Sequence, residues 1–204
     1  MGKFLEFVFN RIFLGMMATA YFWLLTLAGG VVFGLAPASA TLMSLYGEHG
    51  YTYRAYHLKE AWELYKSNFV KSNLAFYSFV FVDLVLVYGL YLLVQLPHQT
   101  IFHLLATFLN VLVVTLVFLA YTVSLKLQVY FDLSYRNTVK LSLIGIFMSL
   151  PAIAKVLIGT GLLVGVGYYM PALLFFVGIG VWHFFISDML EPIYESIHEK
   201  LATK

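Results

Sequence analysis

The chain has 204 residues, of which 62% are hydrophobic and 11% charged, with a net charge of +2 and a mean hydropathy of +0.88. Soluble domains carry roughly 45–50% apolar and about 25% charged residues, so this composition indicates a polytopic membrane protein with too little polar sequence for a separate soluble enzymatic domain. Residues 1–204 read as one integral membrane domain, and the lack of cysteine removes disulfides, thiolate metal sites and cysteine nucleophiles.

The first apolar run, Gly15 to Gly34, is interrupted by Leu35-Ala36-Pro37-Ala38-Ser39-Ala40-Thr41-Leu42. Four more follow, near Leu74–Leu96, Ile101–Leu125, Leu141–Gly165 and Met170–Ile186. Each approaches the roughly 20 residues needed to cross about 30 Å of hydrocarbon. The predicted fold is therefore an all-α transmembrane bundle of about five spanning helices. Arg54, Lys59, Lys66 and Lys71 follow the first run, Lys126, Arg136 and Lys140 the third, and Lys200 and Lys204 the last; the other two connections have no basic residue. The positive-inside rule places the basic connections in the cytoplasm. Five full crossings would then leave the N-terminus outside, yet Lys3 and Arg11 against Glu6 favour the cytoplasm there as well.

A broken first hairpin removes that conflict. The first helix rises from the cytoplasm, breaks at Gly34 to Pro37, and a half-helix over about Pro37–Tyr46 returns partway or fully to the same side. Proline in a first helical turn loses no hydrogen bond. Irregular backbone at membrane depth must be covered by protein, and Gly29, Gly30, Gly34 and Ser39 permit close approach. Five simple crossings with the N-terminus outside is the alternative. A third reading, a cleaved leader, fits poorly because the apolar run exceeds the 7–15 residues of a signal sequence.

Leu58, Ala61, Trp62, Tyr65 and Phe69 recur at helical spacing, opposite Lys59, Glu60, Glu63, Lys66 and Ser67. This predicts an amphipathic cytoplasmic helix running into the second span, with Trp62 and Tyr65 at headgroup level. It lies on lipid, packs under the bundle or docks a partner. In the second cytoplasmic connection Asp132 and Ser134 are candidate helix caps, and Arg136 and Lys140 lie one turn apart as solvated anchors. Asp188, Glu191, Glu195 and Glu199 form an acidic stripe on a C-terminal helix that kinks or restarts at Pro192, with Ile193, Ile197 and Leu201 on another face.

Within the spans the ionisable residues are few. Asp83, roughly 14 Å into the second span, is the main candidate for a functional group at depth; helix-to-helix hydrogen bonding is its blander role. Lys155 pairs with it or snorkels toward the outer surface, and Asn110, Gln95, Gln128, His103 and His183 complete the set. Without a second carboxylate or a histidine cluster at depth, no metal or catalytic site is predicted. Gly30 to Gly34 and Gly161 to Gly165 are small-residue patterns expected to pack helices within the chain. No phosphate-binding loop is present, so no nucleotide cofactor is expected, and nucleic-acid binding has no support.

Three stretches in this order resemble the YesL-like family of bacterial integral membrane proteins: Gly34-Leu35-Ala36-Pro37-Ala38-Ser39-Ala40-Thr41-Leu42, Trp62-Glu63-Leu64-Tyr65-Lys66-Ser67-Asn68-Phe69-Val70-Lys71-Ser72-Asn73, and Phe131-Asp132-Leu133-Ser134-Tyr135-Arg136-Asn137-Thr138-Val139-Lys140. The resemblance covers essentially the whole chain and implies no catalytic residues. It implies the cytoplasmic membrane of Gram-positive bacteria and a role beside carbohydrate ABC importers. The expected function is thus an accessory, non-enzymatic subunit of an oligosaccharide importer, touching membrane lipids and the permease subunits directly and the ATPase indirectly. Pro37, Ser39, Trp62, Tyr65, Lys66, Phe69, Asp132, Arg136 and Asp83 are the interface or structural candidates. A self-sufficient transporter or channel using Asp83, Asn110 and Lys155 is the alternative.

Overall fold

The computed structural model describes residues 2–96, 100–131 and 133–202. It contains no strand among those residues, and five of its helices are long and apolar enough to cross a membrane. The protein is a multi-pass helical membrane protein. Helix α1 (Gly2–Ala28) is followed by an irregular segment and α2 (Leu35–His49), then α3 (Leu58–Val94) and α4 (Ile101–Tyr130). Next come α5 (Tyr135–Met148), α6 (Leu150–Tyr169), α7 (Pro171–Met189) and α8 (Glu191–Ala202).

The break after α1 begins earlier than the sequence suggested. The helix ends at Ala28, Gly30 and Val31 adopt positive φ of 69° and 66°, and a short 3-10 turn over Val32–Gly34 leads into α2. Positive φ costs little at glycine, but a β-branched valine accepts it only where its surroundings enforce it. Gly34 is required there: a Cβ on it would strike the carbonyl of Thr26. Pro37 occupies the first turn of α2, as expected.

Helix α2 then returns toward the start of α1. Tyr46 and Tyr51 reach Asp188 at the end of α7, and the guanidinium of Arg11 lies over the Tyr51 ring. At 15 residues it is about 22 Å long, too short to cross a bilayer. Ten of the eleven residues from Ala36 to Tyr46 are buried, Ser39 being partly exposed. Ala40 and Met43 belong to a core with α4, α5, α6, α7 and α8, whereas Ala38, Leu42 and Leu45 belong to a second core with α1, α3 and α7. The half-helix is thus the central post of the bundle.

Two further expectations need correction. The run Leu141–Gly165 is not one span: Pro151 has no N–H to give and its ring opposes the preceding turn, so the chain breaks at Ser149 (φ −145°, ψ 79°) between α5 and α6. Among the described residues, Gly161 and Gly165 have no neighbour within 4 Å of an added Cβ, so that pair packs against no described helix. The close crossing is instead between α1 and α7, where a Cβ on Gly180 would lie 2.5 Å from the Gly15 carbonyl and the Gly180 N–H donates to Thr19 Oγ1 at 2.9 Å. Within α7, Leu174–Gly178 forms a π turn, and the Phe175 carbonyl accepts from the Trp23 indole at 3.1 Å.

Candidate functional site

The break between α1 and α2 exposes carbonyls that a helix would have used, and α3 supplies their donors. Asn73 Nδ2 donates to the carbonyls of Phe33 and Phe69, each at 2.9 Å, and the Tyr77 hydroxyl donates to Val32 at 2.7 Å. Tyr65, only 3% exposed, fits its ring against the same turn, its hydroxyl against Gly29. Its phenol is thus covered by the chain itself, because the glycine turn opens a slot that takes it. Trp62 stacks on Tyr65 with ring centroids 5.5 Å apart and is 43% exposed, while Phe69 packs edge-on to Tyr65 and Lys66 is exposed. The expected amphipathic helix is the first part of α3, continuous with the second span.

At the opposite end of α2, two carboxylates at the α7–α8 junction bind different parts of the bundle. Asp188 accepts from Tyr46 at 2.6 Å and from Tyr51 at 3.0 Å. Burial, then the hydrogen bond and charge of Asp188, raise the Tyr46 phenol far above its ordinary 10.0. One turn on, Glu191 accepts from Lys126 Nζ at 2.7 Å. That ammonium also donates to the carbonyl and hydroxyl of Ser187, both at 3.0 Å, and lies over the ring of Tyr130. Lys126 is 2% exposed and so is held inside the bundle. Three acceptors and an aromatic face replace its water. Its surroundings hid this role: Leu125 and Leu127 flank it within an apolar helix, on the same stripe as Thr122 and Tyr130. The acidic stripe is divided, with Asp188 and Glu191 engaged at the junction and Glu195 and Glu199 exposed. Pro192 stands at the second residue of α8, which starts afresh there.

Glu48, His49 and Glu60 form a third group where α2 ends and α3 begins. His49 Nε2 lies 2.7 Å from Glu60 Oε1, and the ligand-type atoms of all three fall within 4.8 Å of one another. Partial burial, then the neighbouring Glu60, raise the Glu48 carboxyl, and His49 opposes the shift. These residues could share a cation, but the contact between His49 and Glu60 is equally that of an ordinary ion pair.

The remaining predicted residues are dispersed. Asp83 is half-buried on α3 with Oδ1 shielded and unpartnered, as is Oδ1 of Asn110 on α4. Lys155 is exposed on α6. Arg136 and Lys140 are exposed on α5, whose cap position is held by Ser134 without a side-chain bond; Asp132 lies outside the described residues. Ser39 donates to the Leu35 carbonyl and faces a cavity of about 620 Å3 among α1, α2, α4, α6 and α7.

Residues 16–90 match a family described as protein of unknown function, DUF624. The matched segment carries the broken hairpin and the α3 side chains that cover it. No curated protein and no solved structure matches the chain.

Proposed function

We propose that this chain is a non-enzymatic accessory subunit of an oligosaccharide ABC importer in the bacterial cytoplasmic membrane, a YesL-like protein with its N-terminus in the cytoplasm. The permease subunits would be its direct partners. The observation that supports this reading is the bare outer part of the α3–α4 hairpin. Only 6% of the most apolar window of α3 and 11% of that of α4 is buried within the chain. Phe81, Leu84, Tyr88, Leu105 and Phe108 are all more than half exposed. Such a surface suits lipid or another membrane protein, and helices of a partner would bury it. Solute movement by this chain alone has less support: sugar sites need several converging hydrogen-bonding groups, whereas the 620 Å3 cavity is mostly aromatic and aliphatic.

The test is purification in a mild detergent of C-terminally tagged protein expressed at its native level. The expected result is stoichiometric recovery of the two permease subunits with their ATPase, and reduced oligosaccharide uptake or permease level in a deletion strain. Purification alone, with uptake and permease level unchanged by deletion, would overturn the proposal.

A further inference from the structure

Three adjoining cavities form a track along α7. The first, of about 440 Å3, is lined by Arg11, Tyr51, Val181, Phe184, Phe185 and Asp188. A second, of about 280 Å3, shares Val181 and Phe185 with it, and a third, of about 120 Å3, shares Val181, Leu163 and Val166 with the second. Leu173, at the far end of the third, lies about 22 Å of helix from Asp188, enough to cover one leaflet, which fills half of a ~30 Å hydrocarbon core. Leu162, Val166, Leu173 and Val181 are exposed, so the track opens sideways to the acyl chains around it.

The mouth of the track carries both signs of charge. Arg11 stands near the start of the first span, Val8–Ala28, and Asp188 is the penultimate residue of the last, Pro171–Met189, so both lie at headgroup level. Tyr51 ties them together: the guanidinium lies over its ring, and its hydroxyl donates to Asp188 Oδ2 at 3.0 Å. Asp188 is exposed, and of the roughly four lone-pair sites of a carboxylate the Tyr46 and Tyr51 hydroxyls use two. A guanidinium presents its donors in a fork that matches phosphate oxygens. Beyond the mouth the lining turns apolar, and Val181 closes it against α1, where a Cβ on Gly15 would come within 2.9 Å of the valine.

We infer that this track binds one phosphatidylethanolamine molecule, its phosphate on Arg11, its ammonium on Asp188 and an acyl chain along Val181, Leu163 and Val166. A cation and an anion on either side of one phenol ring match a zwitterion better than an anionic or uncharged headgroup. A choline headgroup carries the same charges but has no N–H to donate to the carboxylate. A glycerol headgroup would leave Asp188 facing the phosphate with no added cation. The apolar track that continues from the mouth favours a lipid over a soluble phosphate ester. This site is separate from the bare α3–α4 hairpin, and the inference is independent of the importer assignment.

The test is native mass spectrometry of the full-length protein, delipidated in detergent and titrated with palmitoyl-oleoyl phosphatidylethanolamine, phosphatidylcholine or phosphatidylglycerol. The expected result is one tightly retained ethanolamine lipid, with an apparent Kd about tenfold below that of the choline lipid, as one charge-assisted hydrogen bond implies. Asp188→Asn should abolish that preference. Val166→Phe, at an exposed position of the track, should weaken all three lipids alike. O-phosphoethanolamine at the same concentration should not displace the lipid. Equal retention of the three lipids by the unaltered protein overturns the proposal, as does an ethanolamine preference that survives Asp188→Asn, or displacement of the lipid by O-phosphoethanolamine.

Discussion

The two ends of the α3–α4 hairpin are built on opposite terms. Near the chain ends of α2 and α7, α4 places Leu119 to Gln128 among side chains that bury nearly all of that stretch, and Lys126 is bound to Ser187 and Glu191. Toward the turn between α3 and α4, the same helices present Phe81, Leu84, Tyr88, Leu105 and Phe108 with little cover. One end supplies its own partners, and the other leaves apolar surface for something outside the chain. This contrast predicts that substitutions near the break and the α7–α8 junction affect stability, whereas substitutions on the bare hairpin affect association.

The largest expected effect is at the break. Gly34→Val puts a β-branched side chain against the Thr26 backbone, where no rotamer change relieves the contact, and should prevent a stable fold, read as loss of a monodisperse peak on size exclusion. Glu191→Ala comes next. It leaves the buried Lys126 ammonium with only Ser187 and an aromatic face, and should destabilise by about 2 kcal/mol, below the ~3–5 kcal/mol of a wholly buried pair because the Glu191 side chain is 46% exposed. Lys126→Met should cost less, since the freed Glu191 can reach water. Thermal unfolding of both variants in the same detergent checks the order.

Tyr46→Phe should cost about 1–2 kcal/mol at neutral pH through the lost hydrogen bond to Asp188. It should also change the alkaline limb. The Tyr46 phenol is raised in the folded protein, so its contribution to stability is complete below pH 10 and declines as pH rises beyond it. The phenylalanine variant should lose less stability than its parent between neutral pH and pH 11. The smallest effect should come from Leu105→Ala or Phe108→Ala, within about 0.5 kcal/mol for the isolated protein, with reduced recovery of permease subunits as the contrasting readout.

Most of the spans and the return of the first hairpin are legible because apolar length and the Gly-Pro-rich interruption are local signals; the run Leu141–Gly165 is the exception, divided ahead of Pro151 into α5 and α6. The position of the break was less so: Gly29 and Gly30 read as small packing residues, and only the Tyr65 ring and the Asn73 amide explain why the chain turns there. Counting basic residues between apolar runs does not reveal that Lys126 is buried, because its partner Glu191 lies 65 positions later. His183 reads as a scattered polar residue in the sequence, whereas in the fold it is buried against Phe22 and Trp182 with Nδ1 on the Ile179 carbonyl. Periodicity identifies a helix face but not the helix it meets.

The central claim is best tested by placing a photocrosslinking amino acid at Phe108, on the bare part of α4, and irradiating intact cells before any detergent is added. The account predicts a discrete adduct with a permease subunit of an oligosaccharide importer, and no such adduct from an equivalent probe at buried Val123 on the same helix. Adducts at Phe108 confined to lipid, or to a second copy of this chain, would contradict it.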